Sequence, residues 1–119
     1  MVLLPTGFFF DMQMITTKEE LIQLVKESPA LAIYFFNDNC APCISLRPKV
    51  AELIQEKFPN INLIYIDSLA FPEIPASFNV FSNPALLVFF EGKEYIRKSK
   101  YMSIPELHSE IERIYKMVF

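Results

Sequence analysis

The chain has no tryptophan, a single histidine, two glycines and two cysteines in 119 residues. Two cysteines cannot staple a domain of this size, so stability has to come from packing. One cysteine pair and one distant histidine, His108, leave a structural zinc site short of its four ligands, and no metal is expected. Missing too is any apolar run near the ~18 residues that a membrane-spanning helix needs. The longest runs, ALAIYFF and ALLVFF, have the length of buried strands. Nor is there a surplus of positive charge: the net charge is −3, so neither nucleic acid nor a membrane is an expected partner. No linker, repeat or low-complexity segment interrupts residues 1–119, which read as one domain.

What is present fits a packed core. Apolar residues make up 52% of the chain, twelve of them Phe, against 21% charged, and a chain of this length buries roughly two thirds of its unfolded surface. The opening MVLLPTGFFFDM is apolar, yet it has no positive residue and contains Pro5 and Gly7, which argues against an export signal. Residues 1–14 are expected to form a first strand or an ordered arm, with Phe8, Phe9 and Phe10 on the protein's own sheet.

Thr17 and Glu20 form a capping-box pattern that opens a helix with Leu21, Leu24 and Val25 on one face. Pro29 stops it, and Ala30–Phe36, apolar throughout, reads as a central strand covered on both sides. A helix from about Pro42 to Phe58 carries Cys43, Leu46, Val50, Leu53 and Ile54 on one stripe. Ile61–Asp67 is again strand; Leu69–Phe81, with Pro72 and Pro75, reads as a loop with a short helical turn. Ala85–Phe90 and EYIRKSK make a hairpin through Glu91-Gly92-Lys93. A last helix from near Ser103 spaces Ile104, Leu107, Ile111, Ile114 and Val118 by three and four. Strands alternating with helices, then a hairpin and a helix, predict an α/β fold with a mixed sheet and helices on both faces. Lys93, Arg97, Lys98 and Lys100 crowd one segment, which reads as a solvated edge strand. His108 reads as a boundary residue of the last helix.

The cysteines stand in NDNCAPCISLRPKV, three residues apart. The pair can be a metal half-site, a redox couple or two buried small residues. Local architecture favours the second. If the helix begins at Cys40 to Pro42, Cys40 sits where unpaired N–H groups and the helix dipole stabilise a thiolate, and Pro42 leaves no N–H orphaned in that turn. Cys43 follows one turn later, on the apolar stripe. Cys40 is then the exposed attacking thiol and Cys43 the shielded one that resolves the mixed disulfide.

Cys40-Ala41-Pro42-Cys43 after an apolar strand, with Pro48 five positions beyond the second cysteine, resembles the active-site helix of the thioredoxin family. SNPALLVFFEGKE, Ser82 to Glu94, resembles the family's segment in which a cis-proline precedes an apolar strand and a Gly-containing turn. The resemblance runs from about Thr17 to Tyr115. It implies a thioredoxin-like fold, a redox-active Cys40–Cys43 disulfide with no other cofactor, and a cis Pro84 beside it. It also implies an Asn83 backbone free to pair with an extended substrate segment.

Departures accompany the matches. Asn39 stands where the family usually has Trp. The family's buried acid, six positions before the first cysteine, falls at Tyr34, and the lysine often paired with it falls at Leu63. A phenol of pKa about 10 is a poor base at neutral pH, so Cys43 would need water or another group; Asp38 is a candidate proton acceptor or modulator. Tyr101 or Met102 replaces the glycine usual before the last helix. The resemblance implies a monomeric, cytoplasmic thiol-disulfide oxidoreductase that reduces protein disulfides and is recharged by a thioredoxin-reductase-like donor. The alternative is a binding or chaperone module on the same fold, with little redox turnover.

Overall fold

The computed structural model describes residues 13–119, and the expectations for Pro5, Gly7 and Phe8, Phe9 and Phe10 lie outside them. The elements run β1 (Gln13–Met14), α1 (Lys18–Glu27), β2 (Ala30–Phe36), α2 (Ala41–Lys57), β3 (Asn62–Asp67), α3 (Glu73–Ser77), β4 (Ala85–Phe90), β5 (Lys93–Ser99) and α4 (Ile104–Val118). The predicted order holds, and boundaries move by a residue or so. Lys93 joins β5 instead of the turn, because Glu91 and Gly92, both with positive φ (52° and 81°), complete a two-residue hairpin turn by themselves.

Five strands form one sheet in the order β1-β3-β2-β4-β5. β3 runs parallel to β1 and β2, whereas β4 runs antiparallel to β2 and β5, so the sheet is mixed as expected. Strand β2 lies at its centre and is buried at all seven positions. Alternation along it divides the core. Ala30, Ala32, Tyr34 and Phe36 face α2 and α4 together with Leu86, Val88, Val50, Ile54, Leu107 and Ile111. Leu31, Ile33 and Phe35 face the other layer with Leu21, Ile74, Leu87 and Phe89. A strand buried on both faces has no place for alternating polar residues, which explains the unbroken ALAIYFF.

Caps set the helix starts. Thr17 Oγ1 accepts the Glu20 amide at 3.1 Å and Ser103 Oγ accepts that of Glu106 at 3.3 Å. His108 is half-buried, with its ring edge-on to Phe58 at 5.5 Å. No helix among the described residues is long and apolar enough to cross a membrane.

The basic segment is a largely exposed edge strand, as read, and two of its cations are also engaged. Arg97 holds Glu94 at 2.8 Å and donates to the carbonyls of Phe78 at 2.9 Å and Asn79 at 3.1 Å. Lys98 Nζ reaches Glu110 on α4 at 2.7 Å. Sequence spacing could not show this, because α3 and β5 meet only after the chain has folded. The five-residue α3 is followed by its C-cap Phe78 and by Asn79, whose φ is 57°, and Arg97 supplies donors to the carbonyls of these two residues. Arg97→Met should keep the stem packing, cost about 1 kcal/mol and raise amide exchange at Asn79 and Val80. Unchanged exchange there would show that α3 ends without help from β5.

Candidate functional site

Strand β2 ends at Phe36, and the three residues Asn37–Asn39 turn the chain into α2. Asn37 makes that turn: its Oδ1 accepts the Asn39 amide at 2.9 Å and its carbonyl accepts that of Cys40 at 3.3 Å. Cys40 is the N-cap of α2 and is joined to Cys43 by a disulfide, with Cα atoms 5.3 Å apart. Because Pro42 has no N–H, the amide that reaches Cys40 Sγ is that of Cys43, at 3.2 Å. Here the acceptor is a disulfide sulfur. On reduction the same donor and the helix dipole face a thiol and favour its ionised form, with no acidic residue in the first turn to oppose it.

The two sulfurs are inequivalent. Cys43 is fully buried at 0% exposure, against the α2/α4 core. Cys40 is half-buried rather than fully exposed, since Cys40 also packs against that core. Ala41 and Pro42 are exposed, as are Asp38 and Asn39.

The Asn83–Pro84 peptide bond is cis. Ala85 pairs with Phe35, which sets Pro84 at the end of the sheet from which the cysteine turn leaves β2. Two contacts fix this loop: Ser68 Oγ donates to Asn83 Oδ1 at 3.0 Å, and the Lys100 amide donates to the Pro84 carbonyl at 2.7 Å. The segment before α4 thus lies alongside. Met102 packs on the core while Tyr101 is 90% exposed, and both line an open groove of about 530 Å³ with Pro42, Ser45 and Leu46 of α2. Leu69 and Phe81, 61% and 81% exposed, stand on the two loops that Ser68 and Asn83 join.

Tyr34 occupies the place of the expected acid. It is fully buried, its ring edge-on to Tyr65 at 6.0 Å, and its hydroxyl donates to the Cys43 carbonyl at 2.7 Å. Leu63, half-buried on β3, packs on the same side of the sheet, so no charge is buried there. Burial pushes the Tyr34 phenol up to about 12, with Arg47 pulling it down and Tyr65 adding to the rise. Burial likewise raises Tyr65. A phenol held this way donates at every physiological pH and is no base. No sequence signal pointed to its bond with Cys43, because the partner is a backbone carbonyl. Among the described residues no cluster of three His, Cys, Asp or Glu side chains forms that could hold a metal.

The thioredoxin family model matches residues 12–113. The chain belongs to the thioredoxin family. It is 28% identical over 93 residues to the thioredoxin-like protein YdfQ of Bacillus subtilis, covering 78% of this chain and 82% of that one. Over 80 residues it is 29% identical to thioredoxin-2 of Pyricularia oryzae, covering 67% of this chain but only 46% of that relative. Oxidised mitochondrial thioredoxin 3 of Saccharomyces cerevisiae has the same fold, with a TM-score of 0.78 at 21% identity over 90% of this chain and 99% of that one. The fold expected from the residues is therefore the fold found. A thioredoxin-fold chain with a disulfide-forming cysteine pair at a helix N-terminus is a thiol-disulfide oxidoreductase in the general sense.

The buried phenol has a measurable signature. The folded protein holds the Tyr34 proton more tightly than the unfolded chain, so the stability tied to it is whole below pH 10 and is lost as pH rises toward about 12. Each pH unit of that range costs about 1.4 kcal/mol. Phenolate absorbance during alkaline titration should show a late component that accompanies unfolding and is smaller in Tyr34→Phe, where Tyr65 alone remains raised. Ionisation of all tyrosines in one early wave would contradict this.

Proposed function

We propose that the protein reduces disulfides in protein partners. A Cys40 thiolate attacks one sulfur of the partner's disulfide and expels the other as a thiolate, which takes up a proton. Cys43 gives up its proton to water, attacks Cys40 Sγ in the mixed disulfide and releases the second partner thiol. The partner gains two electrons and two protons, and the Cys40–Cys43 disulfide remains. A thioredoxin-reductase-like donor then returns both electrons, with no cofactor beyond the cysteine pair. The observation that carries this reading is the disulfide at the start of α2, with one half-buried sulfur that accepts a backbone N–H and one sealed in the core.

The remaining site residues take supporting roles in this proposal. Ala41 and Pro42 present an uncharged approach to Cys40. The Asn83 backbone and cis Pro84 give the partner's extended segment a rail to lie along. Asn39, in place of an aromatic wall, leaves that approach more open, and Asp38, exposed on the turn, is placed to influence protons passing to solvent. The direction, reduction rather than oxidation, follows the likeness to thioredoxins and is not read from the geometry of the pair. A monomer working in the cytoplasm completes the proposal.

A second reading, a binding module with little turnover, draws on one observation: the large apolar side chains Leu69, Phe81 and Tyr101 exposed on the loops near Pro84. The cysteine variants separate the two. Cys40→Ser should bring reduction of a disulfide-bonded test protein down to background. Cys43→Ser should accumulate a covalent complex with that protein through Cys40, seen by mass and released by dithiothreitol. Unchanged partner binding in the Cys40→Ser, Cys43→Ser double variant, with no turnover in the parent, would favour the binding module.

A further inference from the structure

Tyr34 is a fully buried polar group in the core layer that holds the inner cysteine. It sits on the central strand, between Tyr65 on β3 and Leu86 on β4 in register, and none of its surface reaches solvent. Its one hydrogen bond goes not to a side chain but to the Cys43 carbonyl, at 2.7 Å. That carbonyl belongs to the first turn of α2, the turn the disulfide closes.

The helix around it lacks part of its own support. Pro48 stands inside α2 and has no N–H, so the Ile44 carbonyl, four residues back, loses its usual donor, and the proline ring crowds the turn that begins at Cys43. The Tyr34 hydroxyl thus ties the backbone one residue before this gap in the ladder to the central strand. Nor is the hydroxyl replaceable by solvent, since both groups are buried.

We infer that Tyr34 is a positioning residue for the redox pair: its hydroxyl holds the Cys43 backbone where the closed Cys40–Cys43 turn needs it and so favours the disulfide over the dithiol. The inference rests on the proposed redox cycle and deepens it. A group that bonds more strongly in one state shifts the equilibrium toward that state by the difference. In the disulfide the Cys43 turn is tied covalently to Cys40 and meets the hydroxyl at a fixed distance. In the dithiol the tie is gone, the turn relaxes, and the bond to a hydroxyl that cannot follow it weakens. Arg47, which also acts on the phenol, lies on α2 with its guanidinium 5.2 Å from the Phe36 ring centre, so its charge moves with the same helix.

The test is exchange of the pair with dithiothreitol, in which the dithiol gives two electrons and two protons to oxidised dithiothreitol and becomes the disulfide. Protein thiols are counted by mass across graded buffers. For the native chain a reversible equilibrium is expected; its absence overturns the redox reading itself, not only the role of Tyr34. Given that equilibrium, Tyr34→Phe keeps the ring and should move it about fivefold to tenfold toward the dithiol, the scale of one buried hydrogen bond. Tenfold corresponds to about 30 mV in a two-electron couple. An equilibrium unmoved within twofold, or moved toward the disulfide, overturns the inference.

Urea unfolding of both forms gives an independent readout. The oxidised form of Tyr34→Phe should lose more stability than its reduced form, whereas equal losses would mark a purely structural role and also overturn it. If Tyr34→Phe does not fold, 3-fluorotyrosine placed at position 34 alone, a stronger donor of nearly the same shape, should move the equilibrium toward the disulfide. No movement with it counts against the inference in the same way.

Discussion

The structure depends on a single strand buried on both faces. Every residue of β2 is in the core, so every residue must satisfy two packing layers at once, and its side chains alternate between them. This leaves the strand no room for charge. It also makes its end abrupt: after Phe36 the chain reaches the surface, meets three polar residues and must start a helix at once. Cys40 becomes a helix cap because β2 stops where it does.

The same constraint accounts for the polar chemistry around the pair. A carboxylate on the α2 side of β2 would be costly to bury without a partner, and Leu63 offers none. A phenol tolerates the position: its ring fills the space, its proton is secure, and one hydrogen bond satisfies its hydroxyl. What a buried acid would do for protons is absent from this side of the sheet. What remains is a fixed dipole aimed at the backbone of the inner cysteine. The inner layer thus shapes the redox turn mechanically, and proton traffic is left to the solvent-facing side.

Much of this was legible in the residues. Apolar runs and three-to-four spacings placed α1, β2, α2, β3, β4, β5 and α4 within a residue or so, because burial on one or two faces leaves a local trace in sequence, whereas α3 was bounded only to Leu69–Phe81. Cys40, Pro42 and Cys43 announced the redox helix by their spacing, and Pro48 and Pro84 entered by resemblance. Contacts that join remote segments were not legible. The Tyr34 bond ends on a carbonyl, which every residue has; Ser68 meets Asn83 across fifteen residues of loop and short helix; Arg97 caps a helix end that its own strand gives no hint of. Periodicity reports which face is wet. It does not report which distant group completes a bond.

The division of the core by β2 has a consequence for how such a chain can change over time. The sulfurs, Tyr34 and α4 belong to one layer, while α1 and α3 pack against the other, and the two communicate through the backbone of the sheet. Drift beneath α1 alters how firmly the whole molecule holds together, but it reaches the cysteines only if β2 itself bends. One layer therefore governs how firmly the molecule holds together, and the other governs how the cysteines behave.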